Sequence, residues 1–128
     1  MTKVLDSSAV LAFLYEEPGA AKAARDMPGG LISSVNAAEV LAILARCGIP
    51  ADEAQLALRK TQLQVVDFTP EHAALSVRFL SPQTRGRQIS LGDRACMATG
   101  VQAGVPVVTA DRGWAALQAK GLKVEVIR

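Results

Sequence analysis

Four carboxylates in this chain have the types and spacing to do chemistry. Asp6 closes the apolar run Lys3-Val4-Leu5, and Glu39 lies within Ser34-Val35-Asn36-Ala37-Ala38-Glu39-Val40. Asp93 ends Ser90-Leu91-Gly92-Asp93, and Asp111 follows Val107-Val108-Thr109-Ala110. Two carboxylates about 4 Å apart repel by roughly 4 kcal/mol at an effective dielectric of about 20, so four in one crevice require a cation, or protonation, to offset the repulsion. With no imidazole or thiolate among them the donor set is all oxygen, which selects a hard ion, Mg²⁺ or Mn²⁺. Such an ion, held by a few carboxylates and keeping several waters, suits phosphoryl chemistry.

Each acid also has a plainer explanation. Asp6 and Asp111 are each placed to cap the element that follows. Ser90 and Asp93 fit a capping box, although glutamate is its usual last member. Glu39 is the only charged residue between Asp26 and Arg46, and it shares a helical stripe with Val35 and Ile43. A buried, unpaired carboxylate there is costly, so it needs either a cation or the solvated rim of its helix. Shared geometry favours the cation. Asp6 and Asp111 end strands, Glu39 and Asp93 lie in the first turn or so of helices, and ligands bind outside the carboxyl ends of parallel strands.

Polar neighbours fit the same picture. Ser7, Ser34, Asn36 and Thr109 are placed to orient the acids or an attacking water, with capping and turn chemistry as the alternative for each. Arg85, Arg87, Arg94 and Arg112 lie close in sequence to Asp93 and Asp111, as phosphate grips or as solvated surface charge.

The elements that must carry these residues are legible from periodicity and punctuation. A strand ends at Asp6 and a helix begins at once, with Ser7 or Ser8 as its N-cap. Helices are expected over residues 20–27, 34–46, 51–62, 90–103 and 111–120, and Thr69-Pro70 opens another in N-cap, N1 style. Strands are expected at 31–33, 65–68, 106–109 and 123–127, with a loop over 81–88 holding Arg85 and Arg87. Alternation of this kind means α/β: one domain over residues 1–128, with a central parallel sheet of about five short strands and helices on both faces.

Composition agrees. The 128 residues are 50% hydrophobic but only 4% aromatic, so the core is built from Ala, Val, Leu and Ile. No apolar run approaches the roughly 20 residues of a membrane span, and there is no basic leader with a cleavage site, so a cytoplasmic protein is expected. Cys47 and Cys96 read as small buried helix residues. A single histidine, His72, argues against a zinc site of imidazole and thiolate. The formal charge is +2, but outside the four acids 14 basic residues face eight acidic ones. A basic body around a small acidic site suits a polyanionic substrate with a bound cation.

The motifs Leu5-Asp6-Ser7-Ser8-Ala9, Ser33-Ser34-Val35-Asn36-Ala37-Ala38-Glu39, Ser90-Leu91-Gly92-Asp93-Arg94-Ala95 and Val108-Thr109-Ala110-Asp111 together resemble the PIN-domain nucleases, especially the VapC-type toxins of bacterial toxin–antitoxin pairs. The match runs in order over nearly the whole chain. Each motif is weak alone; the ordered set is fairly specific. The resemblance implies a Mg²⁺- or Mn²⁺-dependent endoribonuclease, with Asp6, Glu39, Asp93 and Asp111 as its acidic quartet. It further implies a homodimer and a small VapB-like antitoxin that blocks the site, with products bearing a 5′-phosphate and a 3′-hydroxyl. Some toxins of this type carry a further acid a few residues after the fourth; Arg112-Gly113-Trp114-Ala115 supplies none, which leaves a single-metal site. Two other classes compete. A phosphoacceptor receiver domain of similar size would explain the threonine-ended strand, but it calls for paired acids after the first strand and a Lys-Pro after the last. A non-cleaving RNA-binding inhibitor is the other.

Overall fold

In the computed structural model, which describes residues 1–80 and 89–128, Val4–Leu5 forms strand β1 and Ser7–Leu14 forms helix α1 directly after it. Then come α2 (Ala20–Asp26), β2 (Leu31–Ser33), α3 (Ser34–Arg46), α4 (Ala51–Lys60) and β3 (Gln64–Val66). Helix α5 (Pro70–Ser76) runs into a 3₁₀ turn, Val77–Phe79. After the undescribed segment come α6 (Leu91–Ala103), β4 (Val107–Thr109), a 3₁₀ turn over Arg112–Ala116 and β5 (Val124–Val126). The strand order is β3-β2-β1-β4-β5, and every pairing is parallel. This is the expected α/β architecture.

Strand residues alternate between two cores, as a pleated strand requires. Leu5, Ile32 and Val108 face a core completed by Ala9, Val10 and Ala12 of α1, Val40 and Leu44 of α3, and Ala54 and Leu58 of α4. Val4 and Val107 face the other, with Cys96, Met97 and Ala98 of α6, Phe79 and Trp114. The parallel pairing of Val4 with Leu31 and with Val107 keeps each row of the sheet on one side. Helices cover both faces, and the carboxyl ends of β1 and β4 lie side by side at the sheet's centre.

Four local expectations are corrected. The N-cap of α1 is Asp6 rather than Ser7 or Ser8: its carboxylate accepts from Ala9 N at 2.9 Å, while Ser7 is already helical. The helix expected over 111–120 is only the 3₁₀ turn. There the Asp111 carboxylate captures Gly113 N, and Trp114, 1% exposed, turns into the second core. A tight turn delivers that large ring to the core from a strand end. Helix α4 stops at Lys60, because Thr61 caps it and Gln62 turns to φ 64°. Cys47 is exposed at the end of α3, whereas Cys96 is buried as expected.

Candidate functional site

The end of β1 delivers Asp6 into the interior at 4% exposure. Its Oδ1 accepts from Ala9 N and from Ser8 Oγ (2.7 Å), and its Oδ2 accepts from Thr109 Oγ1 (2.6 Å). Glu39, in the second turn of α3, is half-buried. Its Oε1 accepts from Asn36 Nδ2 (2.8 Å) and Ser7 Oγ (3.1 Å). Asp93 sits in the first turn of α6 and closes a reciprocal capping box: its Oδ2 accepts from Ser90 N and its own N–H donates to Ser90 Oγ, both at 3.1 Å. Asp111 lies just past β4, exposed, capping the 3₁₀ turn. All four therefore take structural hydrogen bonds.

Electrostatics link them nonetheless. Burial pushes the Asp6 carboxyl up to about 6, against the lowering effect of Thr109, Ser8 and Ala9, and the charge of Asp93 adds to the rise. Asp93 is itself raised, first by burial, against its bonds with Ser90, and then by the charges of Asp111 and Glu39. Asp93 thus feels, or is felt by, each of the other three. Beneath them the Cys96 thiol is raised by burial and then by Asp6, Asp93 and Glu39. Among the described residues none of the four acids makes an ion pair.

Among the described residues, no three Asp, Glu, His or Cys side chains close around one point. The acids share a field rather than a formed coordination shell. Their chemistry fits a hard divalent cation: every donor is oxygen, and among the described residues no ion pair offsets the mutual repulsion and Glu39 Oε2 has no protein donor.

The other sequence-derived candidates divide. Ser7, Asn36 and Thr109 hydrogen-bond the acids directly. Ser34 does not; its hydroxyl accepts from Phe68 N at 3.0 Å and secures the chain leaving β3. Arg94 is half-buried, and its Nε is enclosed without a hydrogen-bond partner among the described residues. Arg112 is exposed and donates from Nε to the Arg128 carbonyl at 3.0 Å. Arg85 and Arg87 lie outside the described residues. Two residues escaped sequence reasoning. Ser8 bonds Asp6, lies 3.3 Å from the Thr109 hydroxyl and accepts from Ala110 N at 2.9 Å, joining the ends of β1 and β4. Gly92 packs so tightly on Glu39 that any Cβ would meet its carboxylate. Locally, Ser8 reads only as a candidate helix cap and Gly92 only as a small residue beside an acid.

The strand order speaks against the receiver alternative. A receiver-type sheet sets its second strand at the edge, beside the first; here β3 takes the edge and β2 lies inside.

Comparison with known proteins agrees with the fold. The PIN domain family profile matches residues 3–120. No curated protein sequence matches the chain. Among solved structures, VapBC2 from Rickettsia felis bound to a promoter DNA fragment superposes with a TM-score of 0.72 at 16% identity, covering 98% of both chains. DNA-bound VapBC from Salmonella typhimurium gives 0.71 at 19% identity over 100% of both chains. A toxin–antitoxin complex from Klebsiella pneumoniae gives 0.71 at 16% identity over 94% of both. These likenesses carry the fold. With a family match spanning nearly its whole length, the chain belongs to the PIN-domain family.

Proposed function

We propose that the chain is a Mg²⁺- or Mn²⁺-dependent endoribonuclease and the toxin of a toxin–antitoxin pair. The observation that carries this reading is the electrostatic linkage of Asp6, Glu39 and Asp111 through Asp93, with no ion pair to offset it among the described residues. Asp6, Glu39 and Asp93 would hold the ion directly or through water, and Asp111 would complete the site. When bound, such an ion neutralises charge on a phosphodiester and lowers the pKa of water. The chain's own part is preorganisation. Ser8, Ala9 and Thr109 fix both oxygens of Asp6, Asn36 and Ser7 fix one oxygen of Glu39, and Ser90 orients Asp93. Arg94, half-buried beside Asp93, would offer its guanidinium to a phosphate.

The motif resemblance points to RNA rather than DNA as the substrate. Solved neighbours include a toxin–antitoxin complex from Klebsiella pneumoniae and a member of the VapBC family of toxin–antitoxin systems from Mycobacterium tuberculosis; by analogy this chain pairs with a small VapB-like antitoxin, and the motif resemblance adds a homodimer. Incubation of the purified protein with end-labelled RNA tests the activity: cleavage appears with Mg²⁺ or Mn²⁺ and disappears with EDTA. RNA that is retained but stays intact with either ion would make the chain a binding inhibitor instead.

A further inference from the structure

Asn36 is 1% exposed and sits one turn before Glu39 on α3. Its Nδ2 donates twice, to Glu39 Oε1 at 2.8 Å and to the Gly92 carbonyl at 3.0 Å. Both partners are acceptors, so the amide orientation is dictated by chemistry: a flipped carboxamide would set its oxygen against a carboxylate and a carbonyl. Oδ1 is left buried with no hydrogen-bond partner among the described residues. A buried acceptor of that kind is unfavourable, and any apolar side chain of similar size would avoid it. The double donation is the compensating feature. Opposite, Gly92 is buried in the first turn of α6, where a Cβ would meet Oε1, Oε2 and Cδ of Glu39. Asp93 is the next residue. Two helices distant in sequence therefore meet at one carboxamide, and the residues flanking that joint are two of the four acids.

We propose that Asn36 is a positioning residue, clamping the Glu39 carboxylate of α3 to the Gly92 carbonyl of α6, in a joint that only glycine at 92 leaves room for. The clamp sets the Glu39–Asp93 spacing. It occupies Oε1 and leaves Oε2 without a protein donor among the described residues. The consequence for metal rests on the reading under Proposed function; the clamp itself does not.

Two measurements keep them apart. In the metal-free protein, ¹⁵N spectra should show the Asn36 side-chain amide protons protected from exchange with solvent, with resonances that shift in Glu39→Gln. An amide whose shifts stay unmoved in Glu39→Gln, or whose protons exchange with solvent as fast as those of an exposed Asn, overturns the clamp, whatever the protein does with metal. The second is Mn²⁺ binding by calorimetry. Asn36→Leu, which keeps the size and loses both donors, should weaken Mn²⁺ binding about tenfold or more while the protein stays folded. In a Glu39→Gln background the same substitution should add almost nothing, because both act through one carboxylate. Gly92→Ala should reproduce the loss in the wild-type background. An equal loss in both backgrounds would make Asn36 a general packing residue and overturn the proposal, as would unchanged Mn²⁺ affinity in Asn36→Leu. Should the amide behave as expected while the wild type takes up no Mn²⁺, the clamp stands and the metal reading falls.

Discussion

Thr109 Oγ1 donates to Asp6 Oδ2 at 2.6 Å, joining two fully or nearly buried side chains 103 residues apart in the chain. The same oxygen accepts from Asp111 N at 3.0 Å. One hydroxyl therefore governs how the acid after β1 and the acid after β4 stand to one another. Thr109→Val keeps the shape but leaves a buried carboxylate oxygen and a backbone N–H without this partner. It should cost about 1–3 kcal/mol in urea unfolding. Thr109→Ser, which keeps the hydroxyl and removes a methyl group, should cost about 1 kcal/mol. A valine variant as stable as the serine variant would show that the bond contributes little.

Asp6 makes stability depend on pH in an unusual direction. The folded carboxyl holds its proton to about 6, whereas an ordinary aspartate carboxyl loses it near 3.8. Between those values the folded state binds more protons, so the metal-free protein loses stability as pH rises through the window. The full penalty is on the order of 3 kcal/mol, with roughly 1 kcal/mol of it gained from about pH 5 to about pH 7.5. The raised Asp93 carboxyl acts in the same sense. Thermal melts in EDTA should show the decline, and Asp6→Asn, which keeps an N-cap oxygen, should flatten it and melt higher than wild type near neutral pH. Mg²⁺ should raise the wild-type melting temperature by binding the folded state, and Asp6→Asn should blunt that rise. An unchanged pH slope in Asp6→Asn would remove Asp6 as its source.

Asp93 has both a capping role and a proposed metal role, and asparagine separates them. Asn keeps an oxygen to accept from Ser90 N, so Asp93→Asn should cost about 1 kcal/mol or less. It loses the charge at the centre of the acidic group, so RNA cleavage should fall by at least about a hundredfold. Asp52→Asn, at an exposed first-turn acid of α4, should change neither. Cleavage near the wild-type rate in Asp93→Asn would leave Asp93 with its capping role only.

The two thiols should behave as opposites. Cys47 is exposed, and Cys96 is buried with its thiol raised by burial and by three nearby acids. Iodoacetamide should alkylate Cys47 in the native protein and reach Cys96 only on unfolding. Mass spectrometry of the peptides reads this directly, and rapid native labelling of Cys96 would contradict its burial.

What the sequence alone determined is local. The short apolar runs of the strands, the apolar stripe of α3, the Ser90–Asp93 capping box of α6 and the Thr69-Pro70 start of α5 depend on neighbours in the chain, so they are legible without coordinates. Local signals also put acids after two strands and near two helix starts. Tertiary structure decided which of the competing local chemistries prevailed. Asp6 rather than a serine caps α1, because Ser8 is drawn to Thr109 and Ala110 across the sheet. Ser34 turns to Phe68 instead of the acids. Trp114 needs a place in the second core, and a 3₁₀ turn stands where a longer helix was expected. The role of Gly92 is invisible in its own neighbourhood, since it is set by a carboxylate 53 residues earlier that occupies its missing side chain's space. Such contacts depend on how helices dock on the sheet, and short-range periodicity carries no record of docking.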